Sequence, residues 1–334
     1  MRLVIALLLA LLLSSPELAS LAAGGERLAD TGAGPLVYWT AGVGTIGVVK
    51  AAGLRELAVP VSEVDEWRKA GLRVVGVDSA GLSGRRRVAV PKLAGRGNVA
   101  SATRRPWIDA NGWMFTRHPR EQFIYDELPA GKAAIAAAEA YAYGVDALLP
   151  IAAEDLKTAA TVIDDLRSLP VLRLPVVADF TVVDNDSPQI DEVLNLLTRR
   201  NLLYRIVPAP IESYSINIRL GTREYPDEAA ADPSAFAQTI RLRLGDQNRS
   251  LRVYGSEVVI ARLTGDADRA RVHLLNYSGR QAEGLRIRVR GNYRLGALTT
   301  LGLARQTLEE PRVEKGSFEG TIPKMGTYAV IDLR

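Results

Sequence analysis

The chain of 334 residues contains no cysteine and only two histidines, His118 and His273. The first absence excludes disulfides and a lipid-bearing cysteine. The second excludes a His-rich metal centre and argues against a Ser-His-Asp triad, because the two imidazoles lie far apart and in different predicted domains. Beyond the first two dozen residues no apolar run approaches membrane-spanning length. Charge of one sign is also missing. Lys and Arg number 42 against 38 Asp and Glu, spread thinly and without a polybasic tail, so nucleic acid is not an expected partner. Aromatic residues make up 6% of the chain, which makes each tryptophan a point of interest.

A leader is present. Residues 1–23 carry Arg2 before the apolar run 3–13 and a small-x-small site at Ser20-Leu21-Ala22. This reads as a secretory signal peptide without the twin arginine, too short for a comfortable membrane span. The expected location is the periplasm or the exterior, with no membrane anchor after cleavage.

The body then alternates strand-like and helix-like segments. Strands are predicted at 36–40 (LVYWT), 54–59, 72–77, in the PWIDA stretch, 145–151, 175–183, 202–207 and 215–220. Helices are predicted at 45–52, 63–70 with Ser62 as its cap, 131–143, 154–168, 188–200 and, less cleanly, 233–244. The central stretch 106–151 reads as strand, alanine-rich crossover helix and second buried strand, a βαβ unit. Residues 81–105 read as a long loop with a short strand near Val88. The expected class is α/β, a TIM-like (β/α)8 barrel over 24–248, with a doubly wound open sheet as the alternative. From about residue 250 short strands and turns take over. Leu285, Ile287 and Val289 alternate with Arg286, Arg288 and Arg290, a half-buried strand with an arginine face. Residues 249–334 are expected to form a small β-sandwich.

The ending VHLLNYSG, GLRIRV and TIPKMGTYAVIDL resembles the C-terminal domains of exported glycoside hydrolases, which join a (β/α)8 barrel to an all-β domain. The resemblance covers about the last 80 residues at motif level and the remainder as architecture. It implies a carbohydrate partner, no cofactor, and two carboxyls flanking a glycosidic bond. Carboxyls at predicted strand ends are Asp78, Asp109, Asp184, Asp186 and Glu212. Asp109, Asp184 and Glu212 are the candidate catalytic groups. Trp107, Asn111, Trp113, Asp78 and His118 are candidate sugar-binding groups, because aromatic faces stack on sugar rings while Asp and Asn bind hydroxyls. Each has a plainer role beside it: an Asx turn for Asp109 and Asn111, a helix cap for Asp184, an exposed loop for Glu212 and His118. The Asn-Glu pair common at a strand end of retaining barrel glycosidases is absent. A non-catalytic carbohydrate-binding or structural relative is therefore the alternative function.

Three further features have bland readings. Glu139 is expected on the solvent edge of the alanine-rich helix. Gly42, Gly44 and Gly47 form G-x-G-x-x-G between a strand and a helix, with Glu63 about 20 positions on but no acid at the tip of the strand ending AVPV, and read as a tight turn rather than a dinucleotide site. Arg85, Arg86, Arg87, Arg104 and Arg105 flank the 81–105 loop and would hold an acidic sugar only if that loop lined the site.

Overall fold

The computed structural model describes residues 34–94, 107–185 and 188–334. The expected signal peptide 1–23, Arg104, Arg105 and Asp186 lie outside the described residues.

Short strands and helices form the first part of the chain: β1 (Pro35–Tyr38), α1 (Ile46–Ala51), β2 (Glu56–Pro60), α2 (Val64–Lys69), β3 (Arg73–Val77), α3 (Ser79–Ser83), β4 (Arg86–Val88), β5 (Lys92–Ala94) and β6 (Trp107–Asp109). Next come α4 (Gly112–Arg117), β7 (Phe123–Tyr125), α5 (Ala133–Tyr143), β8 (Ala147–Pro150) and α6 (Leu156–Ser168). Six strands pair in parallel in the order β3-β2-β1-β8-β7-β4. β2 lies beside β1 and β3 beside β2, β7 lies between β4 and β8, and β8 returns to pair with β1 over Pro35–Tyr38. The sheet is open between β3 and β4. Parallel strands need both faces covered. The small side chains of α5 allow it to lie close against the sheet, and nearly the whole helix is buried.

A second parallel sheet, β10-β9-β11, follows. It consists of β9 (Phe180–Val183), β10 (Tyr204–Val207) and β11 (Asn217–Ile218), with α7 (Pro188–Arg199) and α8 (Pro233–Leu244) packed beside it. Asp232 caps α8 by accepting from the Ser234 and Ala235 amides, and Pro233 begins it, the favoured start of a helix. The parallel strands expected in one ring are thus distributed over two sheets, and among the described residues no ladder joins them.

Eight strands complete the chain: β12 (Leu251–Tyr254), β13 (Val259–Gly265), β14 (Ala270–Asn276), β15 (Ala282–Arg290), β16 (Gly296–Thr300), β17 (Glu309–Glu314), β18 (Ser317–Met325) and β19 (Tyr328–Leu333). They form two antiparallel four-stranded sheets, β12-β15-β18-β17 and β13-β14-β19-β16. Their inward residues, Leu285, Ile287, Val289, Phe318 and Ile331 among them, make one core. Together the parts form a mixed α/β fold followed by an all-β region.

The structure corrects several sequence expectations. Trp107–Asp109 does not enter the parallel sheet; it pairs antiparallel with Lys92–Ala94. The βαβ unit is β7-α5-β8, so its first strand is Phe123–Tyr125 rather than the PWIDA stretch. Part of the 81–105 loop is structured: α3 and β4 precede β5, and β4 pairs with β7. Both β4 and β7 are three residues long, too short for periodicity to register. Ser62 does not cap α2, whose cap position is Glu63.

The sandwich is fused to the α/β part. Ile260, Leu275, Tyr277, Tyr328 and Val330 share a core cluster with the α5 alanines. Arg262 donates to the Ala142 carbonyl at the end of α5. Asn201, at φ 53°, donates to the Val259 carbonyl at 3.0 Å and accepts from the Ala261 amide at 2.7 Å, extending the ladder of β13 with one side chain.

Candidate functional site

The turn from β6 into α4 carries most of the sugar-binding candidates. Asp109 is half-buried and accepts from the Trp107 indole N–H at 3.0 Å. Trp107 itself is buried, with the Arg199 guanidinium 4.2 Å from its ring centroid, a cation–π contact. Trp113 is the one tryptophan left half-exposed; its inner side packs on the cluster around Ile190 and Phe236. Asn111 faces inward. Its main-chain N–H and its side-chain amide donate to the two oxygens of Glu139 at 2.7 and 2.8 Å, and the amide also reaches the Ala89 carbonyl at 2.9 Å.

Glu139 is therefore not on a solvent edge. It is 0% exposed, because a helix apolar on every face is buried on every face and carries its one carboxylate inside. Four donors satisfy it: the two from Asn111, the Tyr125 hydroxyl at 2.8 Å and the Tyr277 hydroxyl at 2.6 Å. Burial pushes its pKa above the ordinary value, while the bonds from Tyr277, Asn111 and Tyr125 pull against that. Tyr277 follows β14, so this carboxylate ties the candidate turn to the sandwich. Gly112 is equally constrained. A Cβ there would meet the Tyr143 hydroxyl at 2.1 Å.

The far end of α4 gathers charge. Arg117 donates to both oxygens of Asp184, at 2.8 and 2.7 Å, and to Asp191. Asp184 sits just past the C-terminal end of β9, as expected for a strand-end carboxyl, yet both its oxygens are engaged by this guanidinium. The other acid salt-bridged to Arg117, Asp191, lies in the first turn of α7. His118 ends α4 and lies 3.2 Å from Glu121; burial and the nearby Arg86 hold its pKa below the ordinary value. Glu121 in turn binds Arg86 at 2.9 Å, which holds its carboxyl low. Arg85 pairs with Asp146 at 2.8 Å.

The remaining candidates stand elsewhere. Asp78, past β3, is exposed and caps α3 by accepting from the Gly81 amide at 2.7 Å. Glu212 is exposed in a turn that the Asn217 side chain holds through Ile211 and Tyr214. Among the described residues, α4 thus brings Trp113, His118 and Arg117 together, Arg117 adds Asp184, and neither Asp78 nor Glu212 bonds to that group. The glycine turn after β1 is closed by Thr45, which donates to the Gly42 carbonyl and accepts from the Trp39 indole. Among the described residues no group of three or more His, Asp or Glu is placed to hold a metal, and no helix is long and apolar enough to cross a membrane.

Sequence reasoning missed Arg117, Asp191, Tyr125 and Tyr277. Arg117 was detectable in principle, since it lies four residues after Trp113 on one short helix. The tyrosines were not, because only the docking of β7 and the sandwich onto α5 brings them to Glu139.

No protein-family model matches the chain, and no curated protein matches it. Among solved structures it is similar to α-L-fucosidase isoenzyme 2 from Paenibacillus thiaminolyticus, at a TM-score of 0.52 and 9% identity, over 82% of this chain and 71% of that one. Weaker likenesses extend to a β-galactosidase from Rahnella sp. R3 (TM-score 0.39, 9% identity, 83% of this chain, 63% of that one) and a rhamnosidase from Novosphingobium sp. PP1Y (0.40, 10%, 82%, 38%). Only the first bears on the fold. The chain shares the fold of that fucosidase over most of its length.

Proposed function

We propose that the protein is an exported carbohydrate-binding relative of the glycoside hydrolases, with its candidate carboxylates committed to structure rather than to hydrolysis. The carbohydrate context comes from the fold shared with the fucosidase over 82% of the chain. Export rests on the leader 1–23, and periplasm or exterior is the matching location. The cyclic strand order β1-β2-β3 and β4-β7-β8, returning to β1, supports reading the first sheet as a barrel opened between β3 and β4.

One observation carries the choice between enzyme and binder: three of the strand-end carboxylates, Asp78, Asp109 and Asp184, already have protein partners, and Glu212 stands exposed in a turn apart from them. Both Asp184 oxygens are held by Arg117, Asp109 accepts from Trp107, and Asp78 caps a helix. Two-carboxylate hydrolysis needs one group available to give a proton and another facing the anomeric carbon. Sugar would dock on the half-exposed face of Trp113, beside Asp109 and His118, where a flat ring and polar groups coexist.

A glycan-binding screen of the purified protein, paired with Trp113→Ala, tests the reading. The expected result is retention of at least one glycan, weakened about tenfold by the substitution. Absence of binding to every glycan would overturn it.

A further inference from the structure

Asn111 stands midway between two groups assigned to sugar, two residues after Asp109 and two before Trp113. It is tied to the interior by Glu139. Its main-chain N–H donates to Oε1 at 2.7 Å and its side-chain amide to Oε2 at 2.8 Å, with the Ala89 carbonyl as a further acceptor at 2.9 Å. The Asn111 carbonyl accepts from the Phe115 amide at 3.0 Å, which closes the first turn of α4. The point where β6 ends and α4 begins is thus fixed on one carboxylate. Gly112 leaves no slack there, because the Tyr143 ring fills the space beside it.

Every partner of Glu139 is a neutral donor. Oε1 accepts from the Asn111 N–H and the Tyr277 hydroxyl, Oε2 from the Asn111 amide and the Tyr125 hydroxyl. Two donors on each oxygen are the full complement of an ionised carboxylate. The titratable groups facing it are Tyr125 on β7, Tyr277 after β14 and Tyr143 one turn further along α5. Arg262 of β13 lies behind, 5.2 Å from the Tyr143 ring centroid. A proton also has a place here. The Tyr125 hydroxyl carries one proton and has two acceptors, Oε2 at 2.8 Å and the Ala136 carbonyl at 3.2 Å. When Oε2 takes a proton from solvent, Tyr125 turns its own proton to Ala136 and accepts from the carboxyl. The Asn111 amide then meets a neutral hydroxyl in place of an anion. Hydrogen bonds to an ionised acceptor are about twice as strong as neutral ones, so the grip on the turn loosens.

We infer that Glu139 is the positioning residue of the Trp113 site and makes sugar binding proton-linked: the carboxylate holds the turn in its sugar-binding form, and the carboxyl releases it. The ligand in this inference rests on the sugar reading of Trp113 above; the switch rests on the bonds of Glu139 alone. Sugar affinity should fall as pH falls through the folded pKa of Glu139, which burial keeps above 4.5. By linkage, sugar binding should expel a proton. The same burial makes the ionised form the costlier one for the fold as a whole. Grip on the turn and global stability therefore change in opposite directions with pH. A Glu139 that merely filled the core would alter stability without moving the surroundings of Trp113 at a defined pH.

The test reads Trp113 first without sugar. Tryptophan emission of the full chain is followed between about pH 4 and 8, and that of Trp113→Phe is subtracted. Both are measured in a His118→Asn background, which removes the imidazole at the end of α4. The expected result is one transition, absent from Glu139→Gln, whose amide reproduces the protonated carboxyl and keeps the low-pH emission throughout. Tyr277→Phe removes one donor from the carboxylate and leaves the turn untouched, so it should raise the midpoint by about one pH unit. That shift decides the matter even if Glu139→Gln fails to fold. A glycan retained in the screen should bind about tenfold more weakly below the midpoint than above it, and equally at both in Glu139→Gln. No transition, a transition that Glu139→Gln leaves in place, an unmoved midpoint in Tyr277→Phe, or a glycan bound equally across the transition would overturn the inference. A transition with no glycan bound at any pH would overturn the sugar reading alone and uphold the Glu139 switch.

Discussion

At the scale of single residues the fold turns on Glu139 and His273, both buried and both titratable. Glu139→Ala removes the acceptor for four donors and opens a cavity, so it should cost about 3–5 kcal/mol in urea denaturation. Their pH signatures have opposite signs. Folding raises the Glu139 pKa above its ordinary 4.5, so the native state holds that proton more tightly. Its contribution is full below 4.5 and is lost as pH rises through the folded value. Folding lowers the His273 pKa well below 6.5, through burial first and then Arg262 and Arg271. The native imidazole stays neutral and shares a 2.6 Å hydrogen bond with the Tyr328 hydroxyl. Its contribution is present above pH 6.5 and is lost as pH falls below it. A His273→Gln variant should therefore show a flatter decline in stability below pH 6.5 than wild type, measured by denaturant titration across pH. An unchanged slope would remove His273 from the account.

At the scale of elements, the short helix α4 depends on one close approach. The Tyr143 hydroxyl occupies the space of a side chain at Gly112, so Gly112→Ala should destabilise by about 1–3 kcal/mol. In a double-mutant cycle with Tyr143→Ala the two costs should be less than additive. Additive costs would mean the contact is not the cause. The elements also show what the sequence carried. Helices α6, α7 and α8 repeat apolar residues at helical spacing, and Asp232 with Pro233 marks a start, so all three were legible. The sandwich strands were legible through alternation, β15 most plainly. Strand β7 was not, since Phe123-Ile124-Tyr125 is too short for any period; a short strand near Val88 was read, but not that it begins at Arg86 and joins the sheet beside β7. The misreading of β6 followed from this: with β7 unseen, the apolar tryptophan stretch took its place before the alanine-rich helix. Asp78, Asp109 and Asp184 were recognisable as strand-end or turn carboxyls, but their partners were not. Arg117 reaches Asp184 across 67 residues of chain, and no local pattern encodes such a contact.

At the scale of the whole molecule, α5 is the shared element. It covers the six-stranded sheet on one side and receives Tyr277, Tyr328 and Val330 of the sandwich on the other. Asn201 and Arg262 add polar ties between the parts. Two regions that share a core should unfold together, so calorimetry should give one transition with equal calorimetric and van't Hoff enthalpies. Two resolved transitions would show that the interface is incidental. The proposed function belongs to the same scale: a scaffold proposed to hold sugar on its surface while Asp78, Asp109 and Asp184 are engaged by protein groups. Its most direct test is to incubate each glycan retained in the binding screen with the purified protein and to follow the release of reducing ends. The account predicts binding with no increase over time. Steady release of reducing ends that Asp109→Asn, Asp184→Asn or Glu212→Gln abolishes would contradict it and establish a working hydrolase.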